Sequence, residues 1–186
     1  MGAALSDVVV HLYFEFHGQS EDNERGVASG HNDPDLTPLG VDQALELVER
    51  YAGIAIDVVY CSDLLRARRT AEIGFGERGV PIVEDARLRE CDYGELNGAP
   101  VSQVHAHRAT YATTPFPAGQ SYADATGRVA PLLAEIKASR DNTTVVIVGH
   151  SATYFALEHL LKGRDLVTIL AEPWVRMPVW RWELDY

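Results

Sequence analysis

Short runs of β-branched and aromatic residues alternate along the chain with longer amphipathic stretches. Residues 8–14 (VVVHLYF) are apolar on both alternating faces, the pattern of a strand buried on both sides. Residues 56–60 predict a second short strand, 81–84 a third and 143–149 (TTVVIVG) the clearest of all. Thr37 before Pro38 reads as a helix N-cap, and Val41, Ala44, Leu45, Val48, Tyr51 and Ala52 then follow helical spacing as far as Gly53. Ser62-Asp63 is expected to cap a helix running to Phe75, and residues 101–111 read as helical. Residues 121–140 carry one apolar face, with Pro131 expected to kink or divide the helix. Ser151 opens a further helix that Gly163 closes. Trp174, Trp180 and Trp182 crowd the end of the chain. Trp180, Trp182 and Leu184 alternate as the core face of a last strand.

Strands feeding helices in this way predict an α/β fold, a three-layer αβα sandwich around a mostly parallel sheet. Such sheets bind ligands outside the carboxyl ends of their strands. The polar, glycine-rich segment 18–35 is long for a connection without function and reads as an active-site loop.

Composition narrows the class. The 186 residues, 46% of them hydrophobic, suit one domain over 1–186, and two cysteines are too few for a disulfide scaffold. No apolar run is long enough for a membrane span or a signal peptide, so a cytoplasmic enzyme without a membrane partner is expected. A net charge of −11 disfavours nucleic acid, whose binding rests on phosphate neutralisation by many Lys and Arg. Any phosphate must therefore be bound locally. A homodimer is left open.

The strand ends hold the candidate chemistry. His17 follows the first strand and His150 the strongest one, each before a residue suited to a turn or helix start, Gly18 and Ser151. Arg66 lies one turn into the helix after Ser62, where its guanidinium can reach back over the strand end. Glu90 lies beyond the 81–84 strand. Two His, one Arg and one Glu supply a nucleophile or base, cationic clamps and a proton-moving carboxyl, a set that suits phosphoryl transfer.

The segment LYFEFHGQS (12–20), followed by Asn23, resembles the R-H-G-[EQ]-[ST]-x-x-N opening of the histidine phosphatase superfamily, also called phosphoglycerate mutase-like. The resemblance continues in order through DLTPLGVDQA (35–44), CSDLLRARRTAE (61–72), LRECDYGELNG (88–98), PAGQSYAD (117–124) and VVIVGHSAT (145–153). It implies the phosphoglycerate mutase-like fold and a phosphohistidine mechanism without metal or other cofactor. His17 would attack phosphorus, Arg66 and His150 would hold the equatorial oxygens, and Glu90 would protonate the leaving oxygen and then activate water. Asn23 and the backbone of Gly18 would help to hold the phosphate, with Ser151 beside the second His. The mutase members carry longer insertions around the site, so hydrolysis of a small phosphorylated metabolite is favoured.

One position departs from the pattern: Phe16 stands where the family has Arg. Three readings follow. Arg25, or else Arg87 or Arg89, takes over the missing cation, with Arg25 favoured because a loop can re-aim a side chain. Alternatively Glu15, on the alternating face of Tyr13 and His11, raises the pKa of His17 and turns the site to non-hydrolytic acid-base chemistry. The third reading is an inactive binding module, against which the joint presence of His17, Arg66, Glu90 and His150 argues.

Other candidates have simpler readings. His105, His107 and His31 lack the spacing and partners of a metal set and read as solvated. Cys91, beside Glu90, and Cys61 read as small buried residues. The residues that select the substrate are expected in the 18–35 and 99–120 segments, where no sequence rule identifies it.

Overall fold

The computed structural model describes residues 9–139, 143–173 and 180–185. Strands β1 (Val9–Phe16), β2 (Val58–Cys61), β3 (Ile82–Glu84), β4 (Thr144–Gly149) and β5 (Trp180–Asp185) form one sheet in the order β3-β2-β4-β1-β5. The first four run parallel, and β5 closes the edge antiparallel to β1. Phe16 pairs with Gly149 at the carboxyl ends of β1 and β4. This register makes His17 and His150 leave the sheet at the same level on neighbouring strands.

Helices α2 (Pro38–Arg50) and α3 (Leu65–Phe75) cover one face of the sheet, and α5 (Tyr122–Ser139) and α6 (Ser151–Lys162) the other. The alternation of β4 shows why both are needed. Val145 and Ile147 pack with Leu132, Ile136 and Leu157, whereas Val146 and Val148 pack with Leu47, Ala71 and Phe75. A strand apolar on both faces has to be covered twice, which gives the three-layer α/β arrangement. Shorter helices α1 (Glu21–Arg25), α4 (Val101–His107) and α7 (Leu166–Ala171) lie in the connections. No helix among the described residues is long and apolar enough to cross a membrane.

Several local expectations hold for the stated reason. Thr37 Oγ1 accepts the Gly40 N–H at 3.1 Å as the cap of α2, and Gly163 ends α6 with φ 64°. Others need correction. α3 begins at Leu65 without a side-chain cap from Ser62 or Asp63. Asp33 from the long loop accepts the Leu65 N–H instead, at 2.6 Å, because Asp63 is paired with Arg89. Pro131 does not divide α5, which continues to Ser139. Its missing hydrogen bond falls on the exposed side, where the Gly127 carbonyl can turn to water. The 101–111 segment is α4 followed by a 3₁₀ turn, Arg108–Tyr111. The 18–35 loop contains α1, capped by Ser20. Trp182 and Leu184 are buried in the core, while Trp174 and the side chain of Trp180 lie outside the described residues.

Candidate active site

His17 sits just past β1, its backbone N–H bonded to the Gly149 carbonyl at 3.1 Å, and its ring is partly exposed. Its Nδ1 lies 2.6 Å from the Gly18 carbonyl. A carbonyl only accepts, so Nδ1 donates this bond, and in the neutral form of the ring Nε2 is then the nucleophilic nitrogen.

His150 lies beside it, ring centroids 5.0 Å apart. This second imidazole is fully buried, and neither ring nitrogen has a hydrogen-bond partner among the described residues. Burial first, then the charges of Arg66 and His17, hold it well below its ordinary pKa of 6.5. Buried polar nitrogens without partners are costly, and a bound oxyanion would accept from the one that carries the proton.

Arg66 is among the largest fully buried side chains. Its guanidinium donates to the carbonyls of Asn32 at 2.9 Å and Gly30 at 3.0 Å, so the 18–35 loop fixes the direction of the charge. Glu90 is also buried. Its carboxylate accepts the N–H groups of Cys91 at 2.9 Å, Ala152 at 3.0 Å and Ser151 at 3.1 Å, the last two from the first turn of α6. Desolvation outweighs these bonds and the Arg66 charge, so the Glu90 pKa lies above its ordinary value. A buried carboxyl with a raised pKa holds its proton more readily than an ordinary one, which suits a group that serves as acid and then as base.

His17, Arg66 and Glu90 line one cavity of about 90 Å³ with Asn23 and Ser151. Val27, Tyr93, Val101 and His105 contribute to the rest of its wall. Asn23 is at the exposed rim, its Oδ1 accepting the Ser20 N–H at 3.1 Å.

Other expected site residues are directed elsewhere. Of the backbone around Gly18 expected to help hold phosphate, the Gly18 N–H itself donates to Thr70 Oγ1 at 2.9 Å. Its glycine identity has a packing reason, because a Cβ there would stand 2.3 Å from the Gly40 carbonyl oxygen. Glu15 belongs to the α2 side of the sheet. Arg50 donates to one carboxylate oxygen and Tyr51 to the other, each at 2.9 Å, and Glu15 lines a second cavity with Gln43 and Arg50. Alternation did place Glu15 and Tyr13 on one face, but α2 crosses that face and supplies the partners. Among the arginines proposed to replace the missing cation, Arg25 is exposed and pairs with Asp22. Arg87 pairs with Asp85 and Glu135, and Arg89 with Asp63. In a chain so rich in acids each finds a nearer carboxylate. Phe16 is itself buried against Phe14.

Of the histidines read as solvated, His31 meets the site, and His105 is exposed as expected but also lines the cavity. His31 Nε2 lies 2.9 Å from the Glu90 carbonyl, tying the long loop to the backbone that carries the acid. His105 faces the cavity. No sequence signal marked either, since both arrive through loop packing: Ala28 N–H bonds Ala99 O at 2.8 Å and Val101 N–H bonds Gly26 O at 2.9 Å, clasping the two segments together.

Known proteins agree with this geometry. The model of the histidine phosphatase superfamily (branch 1) matches residues 12–174. A protein of Hydrogenobacter thermophilus named "Putative phosphoserine phosphatase 2" is 35% identical over 163 residues, covering 83% of this chain and 80% of that one. A 2,3-bisphosphoglycerate-dependent phosphoglycerate mutase of Methylobacterium sp. (strain 4-46) is 34% identical over 91% of this chain and 89% of its own. Among solved structures, a mycobacterial glucosyl-3-phosphoglycerate phosphatase with VO3 superposes with a TM-score of 0.79 at 29% identity, over 87% of this chain and 86% of its own. The chain belongs to branch 1 of the histidine phosphatase superfamily.

Proposed function

We propose that this protein is a metal-independent phosphatase that hydrolyses a small phosphomonoester through phospho-His17. Family membership and relatives named as phosphatases support a phosphoric monoester hydrolase. The observation that carries the reading is the meeting of His17, Arg66 and Glu90 in one cavity, with His150 5.0 Å from His17 between ring centroids.

The chemistry then follows from the side chains present. His17 Nε2 attacks phosphorus as the P–O bond to the leaving group breaks, and Glu90 gives its proton to the departing oxygen. Arg66 carries the permanent positive charge, and His150 offers a ring nitrogen to an equatorial oxygen. In the second step water attacks phospho-His17, Glu90 takes the water proton, and inorganic phosphate leaves with His17 restored. The buried carboxyl changes roles between the steps, and its raised pKa favours the protonated form that the first step needs.

The test is phosphate release from a panel of phosphomonoesters in the presence of a chelator, for wild type and His17→Ala. Turnover should be lost in the variant. Rapid quenching should trap a protein-bound phosphate that is labile in acid and stable in base, as a phosphoramidate is. Turnover that survives in His17→Ala would remove His17 from the nucleophile role.

A further inference from the structure

The cavity is small, about 90 Å³, and its inner wall carries His17, Arg66 and Glu90. If it receives the phosphoryl group, as the phosphatase reading on which this inference rests requires, the leaving group has to lie across the rim.

The rim has two properties. On the α4 side it is apolar at Val101, which is spaced i,i+4 with His105 on one helical face, and at Val27, which lies beside Val101 through its bridge to Pro100. His105 is exposed, and desolvation, then the Arg108 charge, lower its pKa from the ordinary 6.5, which favours the neutral ring with one donor and one acceptor. Among the described residues the rim also lacks a cation. Among the described residues lining the cavity, Arg66 is the sole Lys or Arg, and it lies deep, held by the carbonyls of Asn32 and Gly30. Arginines nearby are engaged elsewhere: Arg25 by Asp22, Arg89 by Asp63, and Arg128 by the carbonyls of Arg89 and Glu90. A leaving group with its own carboxylate or second phosphate would bring an extra anion to an acidic protein without a counter-charge.

We infer that this site selects phosphomonoesters of uncharged alcohols, with an apolar face laid against Val27 and Val101 and a polar group hydrogen-bonded to His105. His105 is a specificity-determining residue for the leaving group and takes no part in the bond-breaking steps. The clasp between residues 26–28 and 98–101 fixes its position over the cavity.

A matched pair of esters tests this. Glycerol 3-phosphate and 3-phosphoglycerate share a carbon skeleton and differ in a terminal hydroxyl against a carboxylate. Turnover by wild type and binding to His17→Ala by calorimetry should both favour glycerol 3-phosphate by about tenfold or more, the ratio that about 1.4 kcal/mol produces. His105→Lys should reduce that preference about fivefold, near the upper end of what an exposed ion pair gives. His105→Ala should raise KM for the hydroxylated ester more than it lowers kcat, and His105→Gln should restore it. Equal or reversed preference in wild type, or an unchanged ratio in His105→Lys, would overturn the inference. Should wild type turn over neither ester, the phosphomonoester panel decides the phosphatase reading, while the binding ratio in His17→Ala still decides the selectivity. Absence of binding by both esters overturns the inference as well.

Discussion

Phe16 stands edge-on to Phe14, with ring centroids 4.9 Å apart and planes at 82°. Tyr154 completes the group, 6.0 Å from Phe16 between centroids. The residue directly before His17 is thus part of the apolar layer under α6, at the position where the family motif carries Arg. The permanent positive charge lining the cavity rests on Arg66, supported by a His150 that burial keeps neutral until an anion arrives.

Phe16→Arg is therefore expected to trade stability for activity. Removing a buried aromatic ring costs about 3–5 kcal/mol when nothing refills the space, and the Arg stem refills part of it. The guanidinium should add a charge-assisted hydrogen bond of roughly 1.5–3 kcal/mol to a bound phosphoryl group, or about 10–100-fold in kcat/KM. Thermal melting and phosphate-release kinetics on the same preparation check both. A lower Tm with unchanged kcat/KM would show that Phe16 leaves no functional gap.

Glu90→Gln separates the acid from the scaffold. The amide oxygen can still accept backbone N–H groups of Cys91 and Ala152, so the fold should persist with the loss of one bond to Ser151. For alkyl esters, kcat/KM should fall by roughly 10²–10⁴, the usual worth of a positioned acid. For p-nitrophenyl phosphate, whose leaving group needs no proton, kcat/KM should change far less. In wild type the activity toward alkyl esters should decline only as pH rises through the raised Glu90 pKa, and the variant should lack that limb. Equal losses for both ester types would contradict the acid role.

The sequence was most legible where backbone register does the positioning. His17 and His150 could each be placed at the end of a strongly patterned strand; that the strands are neighbours was not readable from periodicity, and the pairing of Phe16 with Gly149 shows those ends level. Arg66 and Glu90 followed from motif spacing. Side-chain direction off the sheet was less legible. Glu15 shares the alternating face of Tyr13, yet its partners Arg50 and Tyr51 come from a helix 35 and 36 residues away. His31 and His105 gained their places through loop-to-loop hydrogen bonds that leave no periodicity to read.

His150 should impose a pH dependence on stability. Its folded pKa is depressed, so between 6.5 and that lower value the unfolded chain binds a proton that the folded protein does not. The stability present above 6.5 is then lost as pH falls through this window, by up to ~1.4 kcal/mol per pH unit. Melting curves between pH 5 and 8 should show this slope reduced in His150→Gln. Saturating inorganic phosphate should flatten it in wild type, because a bound anion favours the imidazolium. A slope identical in wild type and variant would assign the effect to other groups.

The Glu15 carboxylate offers the sharpest test between structural and chemical roles for an acid two residues from His17. Tyr51 is fully buried and its hydroxyl donates to Glu15, while Arg50 is only partly exposed. Glu15→Ala would leave that hydroxyl unsatisfied and the guanidinium with only Glu46, 3.7 Å away, a loss of about 2–3 kcal/mol. Glu15→Gln keeps an acceptor for one of the two donors and should lose less, within about 1–2 kcal/mol. With Glu15 serving the α2 junction, Glu15→Gln should keep kcat/KM within about threefold of wild type and leave its pH profile in place, because a change below about 0.7 kcal/mol is all that a distant packing adjustment transmits. A shift of the profile toward lower pH would mean that the Glu15 charge had been sustaining the His17 imidazolium, and would return the site to acid-base chemistry.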